Sequence, residues 1–355
     1  MVVKLKRPKP LLIIIIFLIT LFLIIGVFGY LCSSTNYKSK DKIEIEITSG
    51  TSTSEIANIL KDKKLIKSEL LFKAYVKIYN VKLKAATYIF SKSMNLKEIV
   101  NELEKGSNYN PNLIKLTFKE GERVTDYAKV ISAKTNNSYE SVIATFKDYN
   151  YINSLISKYW FLSSAILDPN IYYPLEGYLA PDTYYFDNKD VSVTEIIETM
   201  LNEMNKKLEK YKSSLGDKVH ERLTMASIVE LEGTNITNRK MIVGVFNNRI
   251  NKGMNLGSDV TTYYGLQAAM TSDLTTEEFA SINSYNTRAV GMVGKMPIGP
   301  ICNPSDSSIE ASISPTLNDY LFFVADKHGN IFYTKTNQEH DQKVAEIKAK
   351  GDWIW

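Results

Sequence analysis

The chain has 355 residues, enough for two or three domains and a sizeable core. Hydrophobic residues make up 44% and charged residues 23%, which excludes disordered and collagen-like classes. The net charge of +4 sits at the start, in Lys4, Lys6, Arg7 and Lys9, and the remainder balances 39 bases against 39 acids. That balance demands no basic face, so nucleic acid is not an expected partner. Two cysteines, Cys32 and Cys302, and three scattered histidines, His220, His328 and His340, give no disulfide framework and no zinc spacing. No metal and no cofactor is expected.

Residues 1–10 read as a short basic tail. Residues 11–31 hold 21 positions without a charge. At about 1.5 Å per residue such a helix crosses the roughly 30 Å hydrocarbon core of a bilayer. The four bases precede it, so the tail is expected in the cytoplasm and everything later outside the membrane. Residues 32–42, CSSTNYKSKDK, read as a polar linker.

Period-two alternation in IEIEI predicts a strand over 43–47. Helical spacing follows from Ser54 and again near 68–80. Ala86–Phe90 reads as a strand and Asn95–Leu103 as a helix. Residues 43–106 therefore predict a small β-α-α-β-α unit. A new strand is expected at Leu113–Phe118, then helical periodicity over 123–147 and 193–212, separated by the Tyr-, Pro- and Gly-rich stretch 167–189. A strong helix is expected over 221–232 and another over 239–251. Tyr320–Ala325 and Ile331–Thr334 flank a Gly-Asn turn, which predicts a hairpin. The whole reads as α+β, with a larger mixed domain over 112–345.

There is no G-x-S-x-G elbow, no H-E-x-x-H and no P-loop. Carboxylate chemistry remains. The helix over 221–232 is almost without polar groups until Glu230 and Glu232 at its C-terminal end. A carboxyl group there meets apolar neighbours and the negative end of the helix dipole, so it holds its proton as a general acid must. Two positions apart is about 200° around a helix, so the two acids cannot serve one bond. Glu230 shares its face with Ala226, Ser227, Gly233 and Thr234, which would leave room for a substrate. Glu232 shares its side with Ile228 and reads as structural.

Several segments together resemble the MltG/YceG type of endolytic murein transglycosylase. Ser227–Glu232 is similar to its catalytic helix motif. Val245–Ile250 with Gly253–Thr261 resembles its V-F-x-N-R-L…G-M-x-L-Q-S-D-P-T stretch. Asn283–Thr287, Met296–Pro304, Tyr320–Ala325 and Leu175–Tyr184 resemble four further motifs in the family's order. Residues 43–106 look like the family's LysM-like unit. Departures stand at Gly257, Val260, Lys295, Ile298 and Asn330.

The resemblance implies cleavage of the β-1,4 bond between N-acetylmuramic acid and N-acetylglucosamine in nascent glycan strands, leaving 1,6-anhydro ends. A single-pass anchor would hold the enzyme beside the synthetic machinery, with peptidoglycan synthases as partners. Glu230 would be the acid/base. Asn248, Tyr285 and Asn286 would suit N-acetyl groups and sugar faces. Asp259 and Glu176 would touch sugar or hold the cleft together. Arg249 would be a salt-bridge partner or a ligand for a muramyl carboxyl or a peptide carboxylate. The reading from a different class is a catalytically inactive, peptidoglycan-binding scaffold.

Overall fold

The computed structural model describes residues 10–107, 110 and 112–353, with side chains at Ile15 and from residue 17 onward. Residues 1–9 of the expected tail lie outside the described residues. The chain divides into two compact units, Met1–Pro111 and Asn112–Trp355.

The first unit begins with α1 (Pro10–Cys32), an unbroken helix of 23 residues without a charge. Its large described apolar side chains, from Phe17 to Tyr30, are exposed. Among the described residues no helix is long and apolar enough to cross a membrane. Six side chains of α1 fall outside them.

In the same unit β1 (Ile43–Ile47) pairs antiparallel with β2 (Ala86–Phe90), Ile45 opposite Tyr88. Between the strands run α2 (Thr53–Asp62) and α3 (Glu69–Ile78), and α4 (Leu96–Lys105) follows. Ser52 with Glu55, and Asn95 with Glu98, form reciprocal capping boxes that fix where α2 and α4 begin. In α4, Leu96, Ile99, Val100 and Leu103 repeat at helical spacing and are all buried. They meet Ile45, Ile47, Leu60, Phe72 and Tyr88 in one core. Each such side chain contributes ~1.5–3 kcal/mol on burial.

The second unit opens with β3 (Ile114–Thr117), paired antiparallel with β4 (Thr183–Phe186). The expected periodicity over 123–147 is two helices, α5 (Val124–Lys134) and α6 (Tyr139–Phe146). Thr135-Asn136-Asn137 breaks it, and Ser138 caps the second helix by accepting from Ser141 N–H. After α7 (Tyr149–Ile156) comes the aromatic stretch, which contains β4. Then come α8 (Val193–Glu209) and the short α9 (Lys212–Leu215).

The centre of this unit is α10 (Val219–Glu232), in which Leu223 through Val229 are all buried. It packs against α11 (Ile236–Asn251), α12 (Asp259–Gly265) and α14 (Asp306–Ile313). Between the last two lies the short α13 (Thr276–Phe279). The chain closes with the hairpin β5 (Phe322–Ala325)–β6 (Ile331–Thr334) and α15 (Asn337–Ala349). A helix apolar on every side needs neighbours on every side, and α10 has them. It stops at Gly233, where an added Cβ would lie 2.7 Å from Arg239 Cγ. Only glycine lets α11 turn back so closely.

Candidate active site

Beside the C-terminal end of α10 the second unit holds a cleft of about 980 Å³. Glu232 enters it from α10, Phe246 and Arg249 from α11, and Asp259, Val260 and Tyr263 from α12. Phe322 and Phe323 of β5 and His340 of α15 close the far side.

The two acids of α10 have opposite fates. The Glu230 side chain is 6% exposed and its Oε1 accepts from Arg239 Nη2 at 2.8 Å. Its Oε2 accepts from Ser305 N–H at 2.8 Å and from the Ser305 hydroxyl. Glu230 does not line the cleft. The small residues on its face are filled by protein: Ser227 Oγ accepts from Ile301 N–H at 3.0 Å, and the Cys302 thiol donates to Ser227 O. This departs from the sequence-based expectation, in which that face was open to substrate. Small residues there allow α14 and the segment before it to approach.

Glu232 faces the cleft. Ser258, at the entry to α12, donates from its hydroxyl to Glu232 Oε1 at 2.6 Å. Burial pushes its pKa up to about 7, and Asp259 adds to the rise while the Ser258 hydrogen bond and Arg249 oppose it. At this helix end Glu232 is thus a carboxyl with a raised pKa that faces the cleft. Asp259 lines the same cleft but is ion-paired to Arg288.

Arg249 apart, the other expected residues lie outside the cleft lining. Asn248 donates to Asn318 O at 2.9 Å and Tyr320 O at 2.9 Å, tying α11 to the approach to β5. Tyr285 is buried, packed against Tyr172 and Tyr264 at ring separations of 4.8 and 4.7 Å. Asn286 is fully buried and spends its amide on Phe279 O and Ser281 O, while its oxygen accepts from Thr262. Glu176 is buried and accepts from Val124 N–H, Tyr264 and Asn303. It clasps the start of α5 to α12 and to the 303 region. Burial pushes its pKa up to about 8.

Of the five motif departures, Gly257 and Val260 line the cleft. Lys295 and Asn330 are exposed, and Ile298 O accepts from His220 Nε2 at 2.7 Å. Sequence reasoning did not single out Ser258, Tyr263, Phe322 or His340 as cleft residues. Ser258 lay inside a recognised motif, and His340 lay on a helix that the sequence reading left unmarked. Among the described residues no cluster of His, Cys, Asp and Glu is placed to hold a metal ion.

Residues 45–346 match the YceG-like family. The chain is 38% identical to an endolytic murein transglycosylase of Bacillus subtilis (strain 168), over 88% of this chain and 87% of that protein. It is 35% identical to an endolytic murein transglycosylase of Streptococcus pneumoniae serotype 2, over 87% of this chain and 59% of that longer protein. A crystal structure of a YceG-like protein from Listeria monocytogenes superposes with a TM-score of 0.61 at 38% identity, covering 86% of this chain and all of that one. The chain belongs to the YceG-like family.

Proposed function

We propose that this protein is a peptidoglycan lyase, an endolytic murein transglycosylase, with Glu232 as its acid/base. The observation that carries the site is one half-buried carboxyl in a large cleft, poised near neutrality and held by Ser258. A glycosidic oxygen leaves only if it is protonated. Glu232 donates that proton as the C1–O bond breaks. Its carboxylate then takes the proton from the substrate's own C6 hydroxyl, whose oxygen attacks C1. The products are a shortened strand and a 1,6-anhydro end. No water is consumed and Glu232 ends protonated. Glu230, assigned this role from sequence, is instead read as the brace that fixes Arg239 and the start of α14.

The finer reading follows the sequence. The uncharged α1, with its exposed apolar side chains, supports a single-pass anchor with the N-terminus in the cytoplasm. The β-α-α-β-α fold of the first unit supports a LysM-like module. Together they would keep the cleft near emerging glycan and its synthases.

The test is mass spectrometry of glycan strands digested by the full chain in detergent. Anhydro ends are expected. Reducing ends would mean hydrolysis, with Asp259 as the second carboxylate that such a reaction needs. Intact strands that still bind would favour the inactive scaffold.

A further inference from the structure

Arg249 lines the cleft with Glu232 and is mostly withdrawn from solvent. Three backbone oxygens hold it. Its Nε–H donates to Leu321 O, and Nη1 donates to Leu256 O and to Asn255 O. Its flat face lies over the Phe322 ring, 5.0 Å from the centroid. No acceptor engages Nη2, and Arg249 forms no ion pair among the described residues. The other cleft cation, Arg288, is neutralised by Asp259.

A guanidinium partly removed from water is unfavourable unless a counter-charge reaches it, and Glu232 acts on Arg249 only across space, without a direct ion pair. Here it is fixed in that state by neutral carbonyls, so its charge is presented to whatever fills the cleft. Gly257 keeps the approach clear: its φ is +65°, and an added Cβ would lie 3.0 Å from Arg249 Nη1. We propose that the Nη2 edge of Arg249 is an anion subsite that takes a carboxylate of the peptide stems carried by the glycan strand. The proposal rests on the transglycosylase reading above. The sugars themselves are neutral once the lactyl carboxyl is tied up in the amide to the stem, so the free carboxylates of such a strand are on its peptides. A planar guanidinium suits a carboxylate better than an ammonium does.

The test uses the full chain in detergent and three strands of equal length. One carries stems with free carboxylates, one carries amidated stems, and one is stripped of stems and has free lactyl carboxylates. The wild type is expected to show a KM on the order of ten-fold lower for free than for amidated stems, the scale of a hydrogen bond to a charged group. Arg249→Gln should erase that difference, and Arg249→Lys should restore part of it. Equal KM on free and amidated stems in the wild type overturns the proposal, and needs no variant to fold. A preference for stripped strands overturns the stem and leaves the lactyl carboxyl as the ligand. An equal loss on all three strands in Arg249→Gln also overturns it, because Arg249 then acts through Glu232 or the fold. Absence of anhydro ends from every strand rejects the parent reading instead, and co-sedimentation of the same strands with the wild type still decides the subsite.

Discussion

Glu232→Gln and Glu230→Gln separate chemistry from architecture. Glutamine at 232 keeps the shape and the acceptor for Ser258 but has no proton to give. Turnover should fall by about 10²–10⁴, the range of general acid–base contributions. In the wild type, the Glu232 pKa of about 7 means that log kcat/KM falls with rising pH above about 7, as the acid form is lost. The residual activity of the variant should lack that limb. Glu230→Gln acts elsewhere: it removes the charge opposite Arg239, whose side chain is 12% exposed. Breaking a buried pair costs on the order of 3 kcal/mol. For a unit of this size that is a Tm drop of about 6–12 °C. The surviving folded molecules should still cut. The assay counts anhydro ends per folded molecule, with folding followed by intrinsic fluorescence in detergent. A folded but inactive Glu230→Gln beside an active Glu232→Gln would refute the reasoning and return the acid to Glu230.

The raised carboxyls also set a stability–pH profile. Glu232 binds its proton more tightly folded than unfolded, so its stability contribution is full below the unfolded value of 4.5 and is lost as pH rises to about 7. The loss is at most about 3 kcal/mol, and Glu232→Gln should flatten the Tm profile in that window. Glu176 extends the same trend to about pH 8. Glu176→Gln must leave one of its donors facing an amide N–H, so Tm should fall by an amount equivalent to about 1–3 kcal/mol with turnover per folded molecule retained; normal Tm would show the clasp to be idle. Gly257→Gln forces a side chain into a left-handed backbone against Arg249 and should raise KM measurably, whereas an unchanged KM would mean that the loop relaxes freely. Leu60→Ala, at a fully buried position, should cost about 2–5 kcal/mol and lower the melting of the first unit alone, which calorimetry would resolve.

Short segments with a clean period were legible. IEIEI could only alternate, and it forms β1 with Ile45 and Ile47 inside. The hairpin of β5 and β6 formed around the Gly-Asn turn as its flanking β-rich runs required. Strand β4 was hidden, because Thr183–Phe186 is aromatic like the loops around it and gains its identity only by pairing with β3. The C-terminal helix α15 was missed because it buries little: Ile347 is its one fully buried residue among those described. A helix held mainly by capping and charge leaves almost no apolar stripe to read.

The assignment of the acid shows the same limit at the scale of one residue. Sequence could say that the C-terminal end of α10 carries two carboxyls about 200° apart and that one of them meets apolar surroundings. It could not say which side of the helix was a cleft. Ala226 and Ser227 beside Glu230 are compatible with empty space or with a close neighbour, since small residues serve both. The chain used them for a neighbour, and Arg239 and Ser305 then satisfied the carboxylate they shelter. The larger Ile228 beside Glu232 fills the core below the cleft, while the carboxyl itself stands at its wall. What decides between the two acids is the partner each one has, and those partners come from α11, the entry to α12 and the 305 region, 9 to 75 residues further along the chain.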